Sequence, residues 1–153
     1  MKTQKNITKA ILLLVLFLSS SLTHAEDLIM MRVKLTFPET MVNLQSAIKK
    51  TGYTISRVQR VDIGLTKSGF KTDKYRVVFF GKGDEINSLT EKHPDIAALL
   101  PLKISIFAEN NDTILVTNNP LLIHSYFKDM PKDLFVRWAK DVNNIFELTN
   151  LIE

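Results

Sequence analysis

The sequence predicts an α+β fold: a single domain whose antiparallel sheet is built from hairpins and packed on one face by helices. Two patterns carry that prediction. Segments with apolar side chains at every second position come in neighbouring pairs, and helical segments flank those pairs instead of alternating with single strands. Size agrees, since 153 residues with 45% hydrophobic and 24% charged side chains suit one core better than two. Five Gly, five Pro and no Cys exclude collagen-like, low-complexity and disulfide-stapled chains.

Residues 1–25 read as a secretory signal peptide. Lys2, Lys5 and Lys9 make a positive start, Ala10 to Leu18 is an unbroken apolar run, and Thr23-His24-Ala25 offers a small-x-Ala cleavage site. The mature chain is then expected to begin at Glu26. The apolar run falls short of the roughly 20 residues that a membrane span needs; an uncleaved anchor is the alternative. No Cys follows the run, which excludes a lipid anchor. The expected localisation is periplasmic or secreted, with membrane contact only through the leader before cleavage.

Residues 26–153 read as one domain, without linker or internal repeat. Ile29, Met31, Val33 and Leu35 alternate with Met30, Arg32 and Lys34, a half-buried strand. Thr36 and Glu39 have capping-box spacing and open a helix with Met41, Leu44 and Ile48 on one face. Lys49 and Lys50 fall in its last turn and Gly52 stops it. Tyr53–Asp62 is the expected second strand and Lys74–Gly81 the third. A helix from Asp84 breaks at His93-Pro94, and a short helical turn over Asp95–Leu100 precedes Pro101. Strands over Leu102–Glu109 and Thr113–Asn118 flank the turn signal Asn110-Asn111-Asp112. Asn119-Pro120 is a cap and first-turn pair for a helix through Phe127. The strongest helix comes last, with Phe135, Trp138, Val142, Ile145, Phe146 and Thr149 along one side.

Charge is uneven along the chain. The formal balance is +4, but residues 1–25 hold three of the 20 basic residues and none of the 16 acidic ones. From Lys49 to Lys82 there are nine basic residues against two acidic, and from residue 83 onward six against eleven. Two solvated faces explain this, and so does a basic segment that pairs with its own Asp62 and Asp73 or meets an anionic ligand or a second subunit.

Gly64-Leu-Thr-Lys-Ser-Gly69-Phe70-Lys71-Thr72 is nearly a phosphate-binding loop, but Phe70 interrupts it and a strand, not a helix, is expected after it. His93 and His124 lie in different elements without ligand spacing, so no metal site is expected. No nucleophile-elbow sequence is present, and no catalytic residue or cofactor is assigned. Asp84-Glu85 fits a helix start, and Trp138 fits the core. What remains is Arg57, Arg60, Lys67, Lys71, Lys74 and Arg76, interleaved with Tyr53, Phe70, Tyr75, Ile63 and Leu65. Cations among rings suit nucleic acid in an intracellular protein; export directs the expectation to a small anion, an anionic lipid or glycan, or a partner subunit. Gly64 and Gly69 let the backbone turn tightly and expose N–H groups to such a ligand. Ile63, Leu65 and Phe70 are apolar in an expected exposed connection, which points to a two-fold interface there or at the sheet edge beside it. The alternative is that they fold back on the domain's own core.

Several strings resemble a known family. Leu28-Ile-Met-Met-Arg-Val-Lys-Leu35 with the helix after it, Tyr53-Thr-Ile, Tyr75-Arg-Val-Val and Leu100-Pro-Leu-Lys-Ile-Ser-Ile-Phe-Ala-Glu109 resemble domain-of-unknown-function family 302 over roughly residues 27–150. The resemblance implies a compact α+β domain similar to the fold of the TATA-binding protein, often dimeric and of unestablished role. Many members carry a Cys after the strand equivalent to Tyr75–Phe80 and another after the Pro equivalent to Pro101. Here Gly81-Lys-Gly83 and Leu102 stand at those places, so a thiol-based role does not transfer.

Taken with export, these readings predict a small binding or interaction protein, a homodimer, that recognises an anionic ligand or an envelope protein through segment 57–82. The alternatives are a periplasmic hydrolase-like enzyme with an unrecognised site, and a structural partner in an envelope assembly.

Overall fold

The structure, a computed structural model, describes residues 27–151; the expected leader, its cleavage site and Glu26 lie outside the described residues. Strand β1 (Leu28–Val33) leads into helix α1 (Phe37–Lys50), which crosses the sheet to strand β2 (Thr54–Arg60) on the far edge. Helix α2 (Val61–Lys67), strand β3 (Tyr75–Gly81), helix α3 (Gly83–Lys92) and a 3-10 turn (Pro94–Ala98) follow. Strands β4 (Leu102–Glu109) and β5 (Asp112–Asn118) bring the chain back beside β1. Helix α4 (Pro120–Ile123), a second 3-10 turn (His124–Tyr126) and helix α5 (Lys132–Leu151) complete it. The five strands lie in the order β1-β5-β4-β3-β2, every pair antiparallel.

Register sorts the side chains between two faces, because residues opposite each other in an antiparallel pair share a face. Val33 opposite Thr113, Met31 opposite Leu115, Ile106 opposite Leu115 and Arg76, and Val78 opposite Ile104 all face the helices. Against them pack Leu44, Ala47 and Ile48 of α1 and Val142, Ile145 and Phe146 of α5. A second apolar cluster, Ile96, Met130, Phe135 and Trp138, ties α3, the first 3-10 turn and α4 to the start of α5. The predicted burial stripe of the last helix matches the observed one, with Ala139 added.

Three local expectations need correction. The second strand stops at Arg60, two residues before the expected end, and Val61–Lys67 is helical where a strand end and open connection are expected. The cause is local: Asp62 sits in the first turn, Lys67 in the last, and Gly69 adopts φ +86°, the left-handed conformation that ends helices. The first strand ends at Val33 instead of Leu35. The helix expected through Phe127 is one α turn plus a 3-10 turn. Its cap is as expected: Asn119 Oδ1 accepts from the Leu121 backbone N–H at 3.1 Å.

Candidate functional site

The six basic residues singled out in the sequence do not all converge on one point. Arg57 lies opposite Phe79 and Arg60 opposite Arg76, so the two arginines leave β2 on opposite faces. Arg76 is engaged: it forms an ion pair with Asp62, donates to the Tyr75 carbonyl at 2.9 Å and lies 5.7 Å over the Phe37 ring. The Arg76 hydrogen bond holds the Asp62 carboxyl below its ordinary range. This pair fastens α2 to β3 and removes Arg76 from the ligand-facing set. None of Arg57, Arg60, Lys67, Lys71 and Lys74 forms an ion pair with any described residue.

Helix α2 and the turn after it position three of those lysines. The Gly69 N–H donates to Thr66 O and the Phe70 N–H to Leu65 O, both at 3.0 Å, the paired closure of a Schellman ending. Ile63 and Leu65 are half-buried and belong to neither apolar cluster, while Phe70 is 63% exposed. Every residue from Thr66 to Lys74 is exposed. The Lys74 carbonyl then accepts from the Ala108 N–H at 3.0 Å, which anchors the segment to β4. Open hollows of about 420, 430 and 390 Å³ all border Asp73 and Lys74. The first also touches Lys67.

The sheet face turned away from the helices is the larger feature, and sequence reasoning missed it. Met30, Val116, Phe107, Tyr75, Val77 and Phe79 project there, all partly or well exposed, beside a buried Ile114. None of them belongs to either apolar cluster. Among the described residues no helix packs over them. A signal was present: Val77-Val78-Phe79-Phe80 and Ile114-Leu115-Val116 are apolar at consecutive positions, which makes both faces of a strand apolar. At one end of this face Arg32 pairs with Glu109 and Asp112, and Lys34 with Asp112 at 2.9 Å. Lys103 stands at the other end of β4.

A second polar group joins the turn after α1 to α3 and α5. The Tyr53 hydroxyl donates to Asp141 at 2.6 Å, Arg137 forms an ion pair with Glu85, and the Trp138 indole N–H donates to Glu85 at 3.0 Å. Lys82 Nζ lies 4.6 Å from the Tyr53 ring centre. Burial, then the Asp141 contact, raises the Tyr53 hydroxyl above its ordinary range. Every member has its partner within the group, which makes it a clamp; the sequence reading credited Glu85 with a helix-start role alone. His124 bonds the Met130 carbonyl at 3.2 Å and packs on Phe135, as a core histidine does. Among the described residues no group of three or more His, Asp or Glu can hold a metal ion. No helix among them is long and apolar enough to cross a membrane.

Comparison with known proteins gives the family but no activity. No curated protein matches the chain. The crystal structure of an uncharacterized conserved DUF302 protein from Bacillus stearothermophilus superposes with a TM-score of 0.73 at 16% identity, covering 82% of this chain and 99% of that one. The family model for Domain of unknown function DUF302 matches residues 29–147. With its sheet, its helices and that match over most of its length, this chain belongs to the DUF302 family.

Proposed function

We propose that this chain is an exported binding protein that pairs with a second copy through the open face of its sheet and takes an anionic ligand on the basic segment. The observation that carries the pairing is the uncovered apolar face. Five strands at about 4.8 Å spacing and roughly six residues each at about 3.4 Å offer on the order of 500 Å² per subunit, near the roughly 1,000 Å² total of a specific interface. The ends of β4 are complementary: a two-fold axis across the strands sets Lys103 of one copy against Glu109 of the other. We draw the interface at this face instead of at Ile63, Leu65 and Phe70 because it is the larger uncovered apolar area.

Sedimentation equilibrium tests the pairing. The wild-type protein is expected to be a dimer at micromolar concentration, and Val77→Lys to be a folded monomer. A wild-type monomer with unchanged circular dichroism contradicts it. The anion reading is supported by Lys67 and Lys74, which have no ion-pair partner among the described residues and border one hollow with Asp73 and the Arg76-paired Asp62. Titration of inorganic phosphate by calorimetry at low and high salt tests it, since screening weakens an electrostatic site.

A further inference from the structure

We propose that the tip made by Lys67, Phe70, Lys71 and Lys74 docks on the headgroup layer of an anionic phospholipid bilayer, with Phe70 as the side chain that enters it. The inference rests on the anion-binding reading above and names the anion as a phospholipid headgroup. Its basis is the shape of the tip. The Schellman closure at Gly69, φ +86°, ends α2 abruptly and leaves Phe70 63% exposed as the first residue beyond it. Lys67 precedes that ring by three residues, Lys71 follows it directly, and Lys74 comes one strand-start later; all three are exposed and none pairs with a described acid. Asp73 is the one acid from Thr66 to Lys74, and Asp62 nearby is neutralised by Arg76.

A free small anion needs convergent donors in a concave, largely enclosed site. The hollow beside Lys67 and Lys74 is open, and Asp62 and Asp73 line it together with the two lysines. An exposed apolar ring with three exposed lysines within four residues of it along the chain suits a bilayer surface instead: the ring passes the headgroups while the lysine stems follow it and keep their charge among the phosphates. A protein interface is a poorer match, since lysine is depleted at interface cores. Each lysine near an anionic surface is worth about five-fold in partitioning, and the Phe70 ring about ten-fold. Binding is therefore weak and reversible for one subunit.

The test is co-sedimentation of the exported protein, its N-terminus verified, with vesicles of phosphatidylcholine alone or mixed with phosphatidylglycerol. Binding is expected on the mixed vesicles only. Phe70→Ser lowers it about ten-fold and the combined Lys67→Gln, Lys71→Gln, Lys74→Gln change about 100-fold, with circular dichroism unchanged. A Phe70→Trp variant reports insertion, because Trp138 is 1% exposed and gives a constant background: its emission shifts to the blue on phosphatidylglycerol vesicles. Sedimentation without that shift, or indifferent to Phe70→Ser, overturns insertion. Saturable phosphate binding lost in the triple Gln variant, without vesicle binding, overturns this inference and leaves the anion reading standing. Failure of both phosphate and vesicles removes both.

Discussion

Two helices of this protein end on nearly the same four residues, Lys50-Thr51-Gly52-Tyr53 and Lys67-Ser68-Gly69-Phe70. The backbone treats them alike. Gly52 has φ +81° and Gly69 φ +86°. Tyr53 N–H reaches Ile48 O at 3.1 Å and Phe70 N–H reaches Leu65 O at 3.0 Å. The two rings meet different surroundings. Tyr53 is 3% exposed, packs edge-on against Phe80 at 5.4 Å and donates to Asp141, whereas Phe70 is 63% exposed. Helix α1 has five buried residues and α2 none. One signal thus serves two ends: the first fixes the core, and the second leaves its ring exposed.

The largest effect expected from this contrast falls on Tyr53. Tyr53→Ala removes the ring contact, the Lys82 cation contact and the Asp141 hydrogen bond, and costs about 3–5 kcal/mol in urea unfolding. Next come the glycines. Gly52→Ala and Gly69→Ala each place a Cβ at positive φ and cost about 1–2 kcal/mol, provided α2 unfolds with the rest of the domain. A global cost at Gly52 with none at Gly69 breaks the parallel by showing that α2 opens separately.

Smaller effects appear with pH, and they run in opposite directions at the two ends. Tyr53 titrates above its ordinary value of 10.0 in the folded state, so its stabilisation is complete below pH 10 and is lost as pH rises beyond it. Asp62 titrates below its ordinary 3.8, so its stabilisation of α2 is present above that value and is lost as pH falls below it. Asp62→Asn is expected to remove the acid-side loss and to cost about 1 kcal/mol at neutral pH, read from urea midpoints across pH. The smallest effect is that of Phe70→Ala, within about 0.5 kcal/mol of wild type in the same unfolding experiment.

Much of the fold is legible in the sequence because its long elements announce themselves twice, by periodicity and by their ends. The first helix has Thr36 donating its backbone N–H to Glu39 at 3.0 Å, a buried stripe and Gly52. The last has its stripe from Phe135 to Thr149. Helix α2 has one of the two signals. Seven residues are too few for a periodic stripe, and Gly64 with Gly69 and nearby lysines resembles a phosphate loop or hairpin turn instead. Comparison of Lys67-Ser-Gly-Phe70 with Lys50-Thr-Gly-Tyr53 reveals the helix end. The candidate site is less legible, since charge sequence does not say which cations are paired. Asp62 and Asp73 are both candidate partners for the cations of the segment, and only the fold shows that Asp62, fourteen residues away, takes Arg76. The open face depends on which side of the sheet the helices take, and a strand apolar on both sides does not settle that.

Amide hydrogen exchange at the two helix ends, with and without phosphatidylglycerol vesicles, tests most directly the claim that the second end is built to be covered from outside. The claim predicts strong protection at Tyr53 in both conditions. It predicts that exchange at Gly69 and Phe70 is slowed when anionic vesicles are added and is unaffected by phosphatidylcholine alone. Protection at Gly69 and Phe70 unchanged by anionic vesicles would contradict it.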